Sequence, residues 1–109
     1  MAAAVLTAAV TSLNAQSAVQ TGAVLDNVWF QSNHSIVVTT GAGVSAGVVA
    51  LRGSHDGVNW TTTPLASITT AAASTVYAGN SASFPFRYLR ADITTVISGG
   101  TVTATIASS

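Results

Sequence analysis

Near its C-terminus the chain alternates strictly: Val102, Ala104 and Ile106 are separated by Thr101, Thr103 and Thr105. Successive side chains of a strand point to opposite faces, so this spacing predicts a half-buried strand with one apolar face and one face of β-branched hydroxyls. Upstream, Leu89, Ala91 and Ile93 alternate with Tyr88, Arg90 and Asp92. The turn formers Ser98-Gly99-Gly100 lie between the two segments, and the pair reads as a hairpin. Pro85 has no N–H to give to a ladder, so pairing is expected to begin after it. His34 to Thr40 and Ala46 to Arg52 are two further runs rich in Val and Ile, separated by Gly41-Ala42-Gly43. They read as a second antiparallel pair. The cluster Gly53-Ser54-His55-Asp56-Gly57 then reverses the chain into Val58-Asn59-Trp60-Thr61-Thr62.

Gly22 to Phe30 and Ser74 to Ala78 complete the candidate strands. Helix signals are weak, because the Ala-rich stretches Met1 to Ala9 and Ala71 to Ala73 are short and flanked by Thr, Val and Ser. Threonine, present 16 times, favours strands. About seven or eight strands with no crossover helix predict an all-β fold, an antiparallel β-sandwich of jelly-roll or immunoglobulin-like order. Residues 21–109 form the expected sandwich domain. Residues 1–20, almost free of aromatic and charged side chains, are expected to be an N-terminal arm or first strand. Met1 to Ala18 superficially resembles a signal peptide, with Ala2 to Val10 as the apolar part, but it has no Lys or Arg before the apolar run.

Charge changes the picture. Asp26, Arg52, Asp56, Arg87, Arg90 and Asp92 are the only charged residues, there is no Lys or Glu, and the six cancel. An average domain of this length carries about 27. So little charge removes the repulsion that keeps soluble domains apart, which predicts association, with a homo-oligomer among the forms. Three arginines cannot neutralise many phosphates, so no nucleic-acid partner is expected. No window approaches the roughly 20 uninterrupted apolar residues of a membrane span, and no membrane partner is expected. Cysteine is absent, which removes disulfides, thiol nucleophiles and zinc–thiolate sites.

The inventory for catalysis is thin. Ser54, His55 and Asp56 adjoin in one turn, and neighbours in a turn rarely reach triad geometry, so no catalytic residue is assigned and the chain is not expected to be an enzyme. Asp56 has an ordinary role in binding backbone N–H groups of its own turn. Asp26, Asp56 and Asp92 are too few and too scattered for a calcium site, and His34, without a second histidine at ligand spacing, reads as a solvated turn residue. No metal or cofactor is expected. Trp29 and Trp60 could stack on a sugar ring, although a Trp on a sandwich strand is more often core, the reading preferred for Trp60. Phe84, Phe86, Tyr88 and Arg90 share a face if Pro85 does not interrupt the alternation, and aromatics with Arg are enriched in contacts with partners. Together with Val5, Leu6 and Val10 of the apolar arm, they are the candidate interface.

Leu51 to Trp60, with its Gly-Ser-x-Asp-Gly-x-x-Trp turn, followed by Pro85-Phe-Arg-Tyr-Leu-Arg-Ala-Asp92 and Gly99-Gly-Thr-Val-Thr-Ala-Thr-Ile106, resembles small β-sandwich structural proteins of tailed-bacteriophage virions. Related patterns occur in discoidin-like jelly rolls that bind carbohydrate or other ligands. Gly53, Ser54, Asp56, Gly57, Trp60, Arg87, Tyr88 and Arg90 carry the likeness, which extends over about residues 20–109, and are read as fold-forming. The resemblance implies a non-enzymatic virion protein. With one sandwich and little else, a head decoration protein on the capsid surface is the first expectation, its partners the major capsid protein or other virion proteins. The alternatives are a carbohydrate-binding module or tail or fibre component, and a self-assembling tube or shell subunit.

Overall fold

The computed structural model describes residues 8–82 and 84–109. It contains β1 (Ala8–Gln16), β2 (Gln20–Thr21), β3 (Leu25–Asp26), β4 (Asn33–Thr40), β5 (Ala46–Ser54), β6 (Ala66–Thr69), β7 (Val76–Ala82), β8 (Tyr88–Ser98) and β9 (Val102–Ser108), and no helix among the described residues. One sheet has the order β1-β9-β4-β7; the other runs β2-β8-β5-β6, with β3 pairing β8 beyond a short break after β2. Every pairing is antiparallel. Counting β2 and β3 as one broken strand, the chain alternates between sheets at every connection except β5 to β6. This is jelly-roll order, two four-strand layers facing each other, rather than the immunoglobulin alternative.

The expected strands around residues 34–40, 46–52, 89–93 and 101–106 are present, but not the two hairpins. β4 and β5 lie in different sheets, and so do β8 and β9. The glycine turns are arches that carry the chain across the sandwich, and the two arches support each other. Gly41 N–H donates to Thr101 O at 2.9 Å and Ser45 N–H to Ser98 O at 3.0 Å. At Gly43 and Gly99 the backbone has φ of 87° and 86°. A Cβ on Gly99 would stand 2.0 Å from Gly43 O, and one on Gly43 2.6 Å from Gly99 O. Only glycine fits, for both conformation and space.

Facing strands supply the core by alternation. Ile36 and Val38 of β4, Val102, Ala104 and Ile106 of β9, Val49 and Leu51 of β5, and Leu89, Ala91 and Ile93 of β8 are all buried. At about 25 cal/mol per Å² of apolar surface, this shared interior is the main favourable term in folding. Gly22 to Phe30 is not one long strand: β2 and β3 are two-residue pieces, and Asn27 to Gln31 forms a loop. Val58 to Thr62 is loop with one isolated bridge, Ser54 to Trp60.

Of the segment expected to be an arm or first strand, residues 1–7 lie outside the described residues. Ala8–Gln16 is an edge strand of the first sheet, paired with β9 and burying Leu13. The buried Ser12 hydroxyl ties it to the second sheet, donating to Ala23 O at 2.7 Å and accepting from Ala91 N–H at 2.9 Å. Ala23 N–H returns a bond to Ser12 O at 2.7 Å. Removing all of residues 1–20 would therefore take core and clasp with it.

Two stability predictions follow from these contacts. Gly99→Ala should cost about 3 kcal/mol or more, read as a lowered urea midpoint at unchanged slope, because both φ and the approach of Gly43 are violated. Ser12→Ala should cost about 1–3 kcal/mol in the same assay, since it strands the buried Ala91 N–H.

Candidate interaction surfaces

All six charges sit on the second sheet or its loops, and β1, β4, β7 and β9 contain none. On the outer face of the second sheet, buried Asp92 lies between two arginines. Its Oδ1 is 2.9 Å from Arg90 Nε, its Oδ2 3.4 Å from Arg52 Nε. Arg52 Nη1 also donates to Thr61 O at 2.7 Å and Thr62 O at 2.6 Å, pinning the β5–β6 loop to the sheet. Arg90 lies over the Trp60 ring, 4.1 Å from its centroid, a cation–π contact. Thr21, Thr94 and these residues line a shallow groove of about 530 Å³.

The loops at one end make a different surface. Asn27, fully buried, donates from Nδ2 to Gln31 O at 2.9 Å and Phe86 O at 2.8 Å, while its Oδ1 accepts from Gln31 N–H at 3.2 Å. It therefore locks the β3–β4 loop against the β7–β8 connection. The locked loop holds Val28, Trp29 and Phe30 about half exposed, with Phe30 at a φ of 48°, a conformation uncommon for an aromatic residue. Phe84, 70% exposed, projects from the adjoining connection. Arg87 lies over the Phe30 and Tyr88 rings at 5.6 and 5.5 Å and pairs with Asp26. In the sequence Trp29 and Phe30 fall at the end of the candidate strand Gly22 to Phe30; the turn formers Asp26 and Asn27 just before them are the available signal for a loop.

The outer face of the first sheet is built of short side chains. Its cross-strand rows are Ala9, Ala107, Ser35 and Asn80; then Thr11, Thr105, Val37 and Ala78; then Thr103, Thr39 and Val76. No charge and no aromatic ring interrupts them.

The structure separates the expected interface residues. Val5 and Leu6 lie outside the described residues. Val10 is half-buried in β1, packed against the core. Phe84 is exposed, Phe86 is buried, and Tyr88 and Arg90 lie half-buried on the outer face of β8. These four do not share a face, because Pro85 breaks the alternation and β8 begins only at Tyr88. Phe86 turns inward over Gly53, where a Cβ would come within 2.6 Å of its ring. Trp60 is also not core: it is half-buried on the outer face beneath Arg90. His34 is not a solvated turn residue. It is fully buried in β4, with Nδ1 2.8 Å from Ser108 Oγ and Nε2 2.9 Å from Phe84 O, where it holds the β7–β8 connection.

Ser54, His55 and Asp56 do not form a relay. Ser54 Oγ donates to Asp56 Oδ1 at 3.0 Å and accepts from Gly57 N–H at 2.9 Å, whereas His55 stacks on Phe86 with centroids 5.2 Å apart. Asp56 Oδ1 also accepts from Asn59 N–H at 2.8 Å and Val58 N–H at 2.9 Å, and Oδ2 from Asn59 Nδ2 at 2.7 Å. These bonds, led by the Asn59 N–H, hold the Asp56 carboxyl far below its ordinary value of 3.8. Asp26 is also lowered, chiefly by its hydrogen bond from Arg87.

A carboxyl depressed by folding stabilises the protein above its unfolded value, and that contribution is lost as pH falls through the folded value. Asp56 should stay ionised as pH is lowered through 3.8 in a carbon-detected NMR titration. Asp56→Asn should remove part of the stability lost on acidification below 3.8, measured as a flatter dependence of melting temperature on pH.

No protein-family model and no curated protein matches this sequence. Among solved structures, the crystal structure of the SPBc2 prophage-derived protein YomS is similar in fold, with a TM-score of 0.68 over 94% of this chain and 91% of that one. The two are 10% identical, so the likeness is one of architecture, a shared β-sandwich.

Proposed function

We propose that this protein is a non-enzymatic structural component of a phage particle, a decoration protein that docks on the capsid surface and stabilises the shell through protein–protein contacts. The observation that carries this reading is the rigid apolar end: Trp29, Phe30 and Phe84 are held at least half exposed on loops whose backbone is locked by the buried Asn27 and His34. Aromatic side chains presented on a fixed scaffold bind with little loss of conformational entropy, and Trp is among the residues enriched in interface hot spots. The sandwich shared with a prophage-derived protein supports the phage setting. The mechanism is mass action: a protein that binds only the assembled shell lowers the free energy of that state relative to free subunits.

The test is co-sedimentation with shells assembled from the major capsid protein of the same genome. Wild-type protein should saturate the shells, and Trp29→Ser and Phe84→Ser should each weaken binding about thirtyfold while the melting temperature holds. Undiminished occupancy by both variants, or no binding by the wild type, rejects the reading.

The groove beside Trp60 favours a second reading, a carbohydrate-binding module, because an indole flanked by arginines and threonine hydroxyls suits a sugar. A glycan panel separates the two. Binding lost in Trp60→Ala but kept in Trp29→Ser would replace the first reading with the second.

A further inference from the structure

A β-sandwich has four sheet edges, and each exposes a row of N–H and C=O groups unless something blunts it. Three edges here are blunted. β1 carries register shifts between Thr11 and Leu13 and between Leu13 and Gln16, and gives its Ser12 carbonyl to Ala23. The β2–β3 edge is two short pieces, broken where Gly22 N–H turns to Ala91 O at 2.8 Å. β6 has four residues.

β7 has none of these devices. It runs seven residues in unbroken register with β4, from Asn33 opposite Ala82 to Thr39 opposite Val76. It has no charge, no proline and no fully buried residue. The direction of its backbone follows from three bonds. Thr40 N–H donates to Thr75 O at 2.9 Å, so position 75 faces β4. On the other side of β4, Asn33 and Ser109 exchange bonds of 3.2 and 2.9 Å, so the odd positions of β4 face β9 and the even ones face β7. By alternation Tyr77, Gly79 and Ser81 also face β4, leaving the N–H and C=O groups of Val76, Ala78, Asn80 and Ala82 on the open edge. Among the described residues none of these four amides donates to a loop or side chain.

We propose that β7 pairs with β7 of a second copy, antiparallel about a two-fold axis at Gly79, joining two four-stranded sheets into one of eight. An isologous contact needs an edge that complements itself, and this one does. With the axis at Gly79, Val76 meets the partner's Ala82 and Ala78 meets the partner's Asn80, so every outward residue faces an outward residue. Each such pair exchanges two bonds, and four pairs give about eight. The axis falls at a non-bonded position, where the strands approach most closely, and that position is a glycine on both copies. On the outer face the meeting side chains are Val, Ala and Asn, so no charge is desolvated. The rows of short side chains continue across the join. A second copy is favoured over a foreign strand because the edge matches itself along its whole length with no residue unpaired. The proposal is separate from shell docking, which uses the loop end, and its test needs no shell.

The experiment is light scattering with size-exclusion chromatography on the full chain from about 1 to about 500 µM. Wild type should reach twice the chain mass. Ala78→Pro, which removes an outward N–H without touching the β4 ladder, should run at the single-chain mass with an unchanged circular-dichroism spectrum. Hydrogen exchange supplies a readout independent of any variant: in the wild-type pair, the amides of Val76, Ala78, Asn80 and Ala82 should be protected like those of Tyr77 and Gly79. A wild type that stays monomeric throughout, a dimer that persists in Ala78→Pro, or fast exchange at those four amides within the dimer would each overturn the proposal.

Discussion

The close approach of two arches at Gly43 and Gly99 is the constraint on which the architecture rests. β4 and β9 are the inner strands of one sheet, β5 and β8 the inner strands of the other. The only direct links between these pairs are the β4–β5 and β8–β9 arches, which are hydrogen-bonded to one another. Once the arches stack, β4 must lie beside β9 and β5 beside β8, with their apolar faces opposed. The outer strands then have one place each: β1 against β9, β7 against β4, the β2–β3 segment against β8 and β6 against β5. A side chain at either glycine would push the arches apart and lose the register of all four inner strands, so the cost would not be confined to a turn.

The segregation of charge has a physical consequence for the two faces. The second sheet carries its ions largely in closed pairs, with Asp92 between Arg52 and Arg90 and Asp26 with Arg87, so even the charged face offers little net field. The first sheet is kept wet largely by Thr, Ser and Asn, with no charge. Such side chains lose little conformational entropy when covered, in contrast to the Lys and Glu that usually coat a soluble domain. A surface of this kind is cheap to bury and weakly repelled by copies of itself.

Strands were legible in the sequence because burial on one side imposes period two, and His34 shows how far that reading extends. Taken in register with Ile36, Val38 and Thr40, it falls on the inner face, which is where the structure places it; its polarity is answered by Ser108 and the Phe84 carbonyl. The choice between hairpin and arch was not legible. A short glycine turn suits both, and alternation within a strand does not say which sheet the next one joins. Trp60 and Phe86 exchanged their expected places for local reasons. The Asp56 turn ends regular pairing before Trp60, leaving the indole outside with Arg90, and Pro85 resets the alternation so that Phe86 fills the space above Gly53. The aromatic loop tip depends on Asn27 bonds to residues as distant as Phe86, which no local pattern announces.

The two sides of the sandwich differ in a way that orients any assembly. On one side Ser12 stitches β1 to β8 and to the segment between β2 and β3, so those edges are closed to strand addition. On the other side β6 meets β7 through Ala66 and Ile68 at the position of Gly79, and among the described residues the outward β7 backbone groups are left open. The apolar loop end is a third surface, at the strand ends rather than along an edge. Antiparallel pairing at β7 reverses the strand direction between copies, so a joined pair would carry its two Trp29 ends pointing in opposite directions. Such a pair cannot stand upright on one binding site with both ends engaged. It would lie flat and reach two sites, linking neighbours, so that pairing along the edge and docking at the end would reinforce each other through effective concentration rather than compete for the same residues.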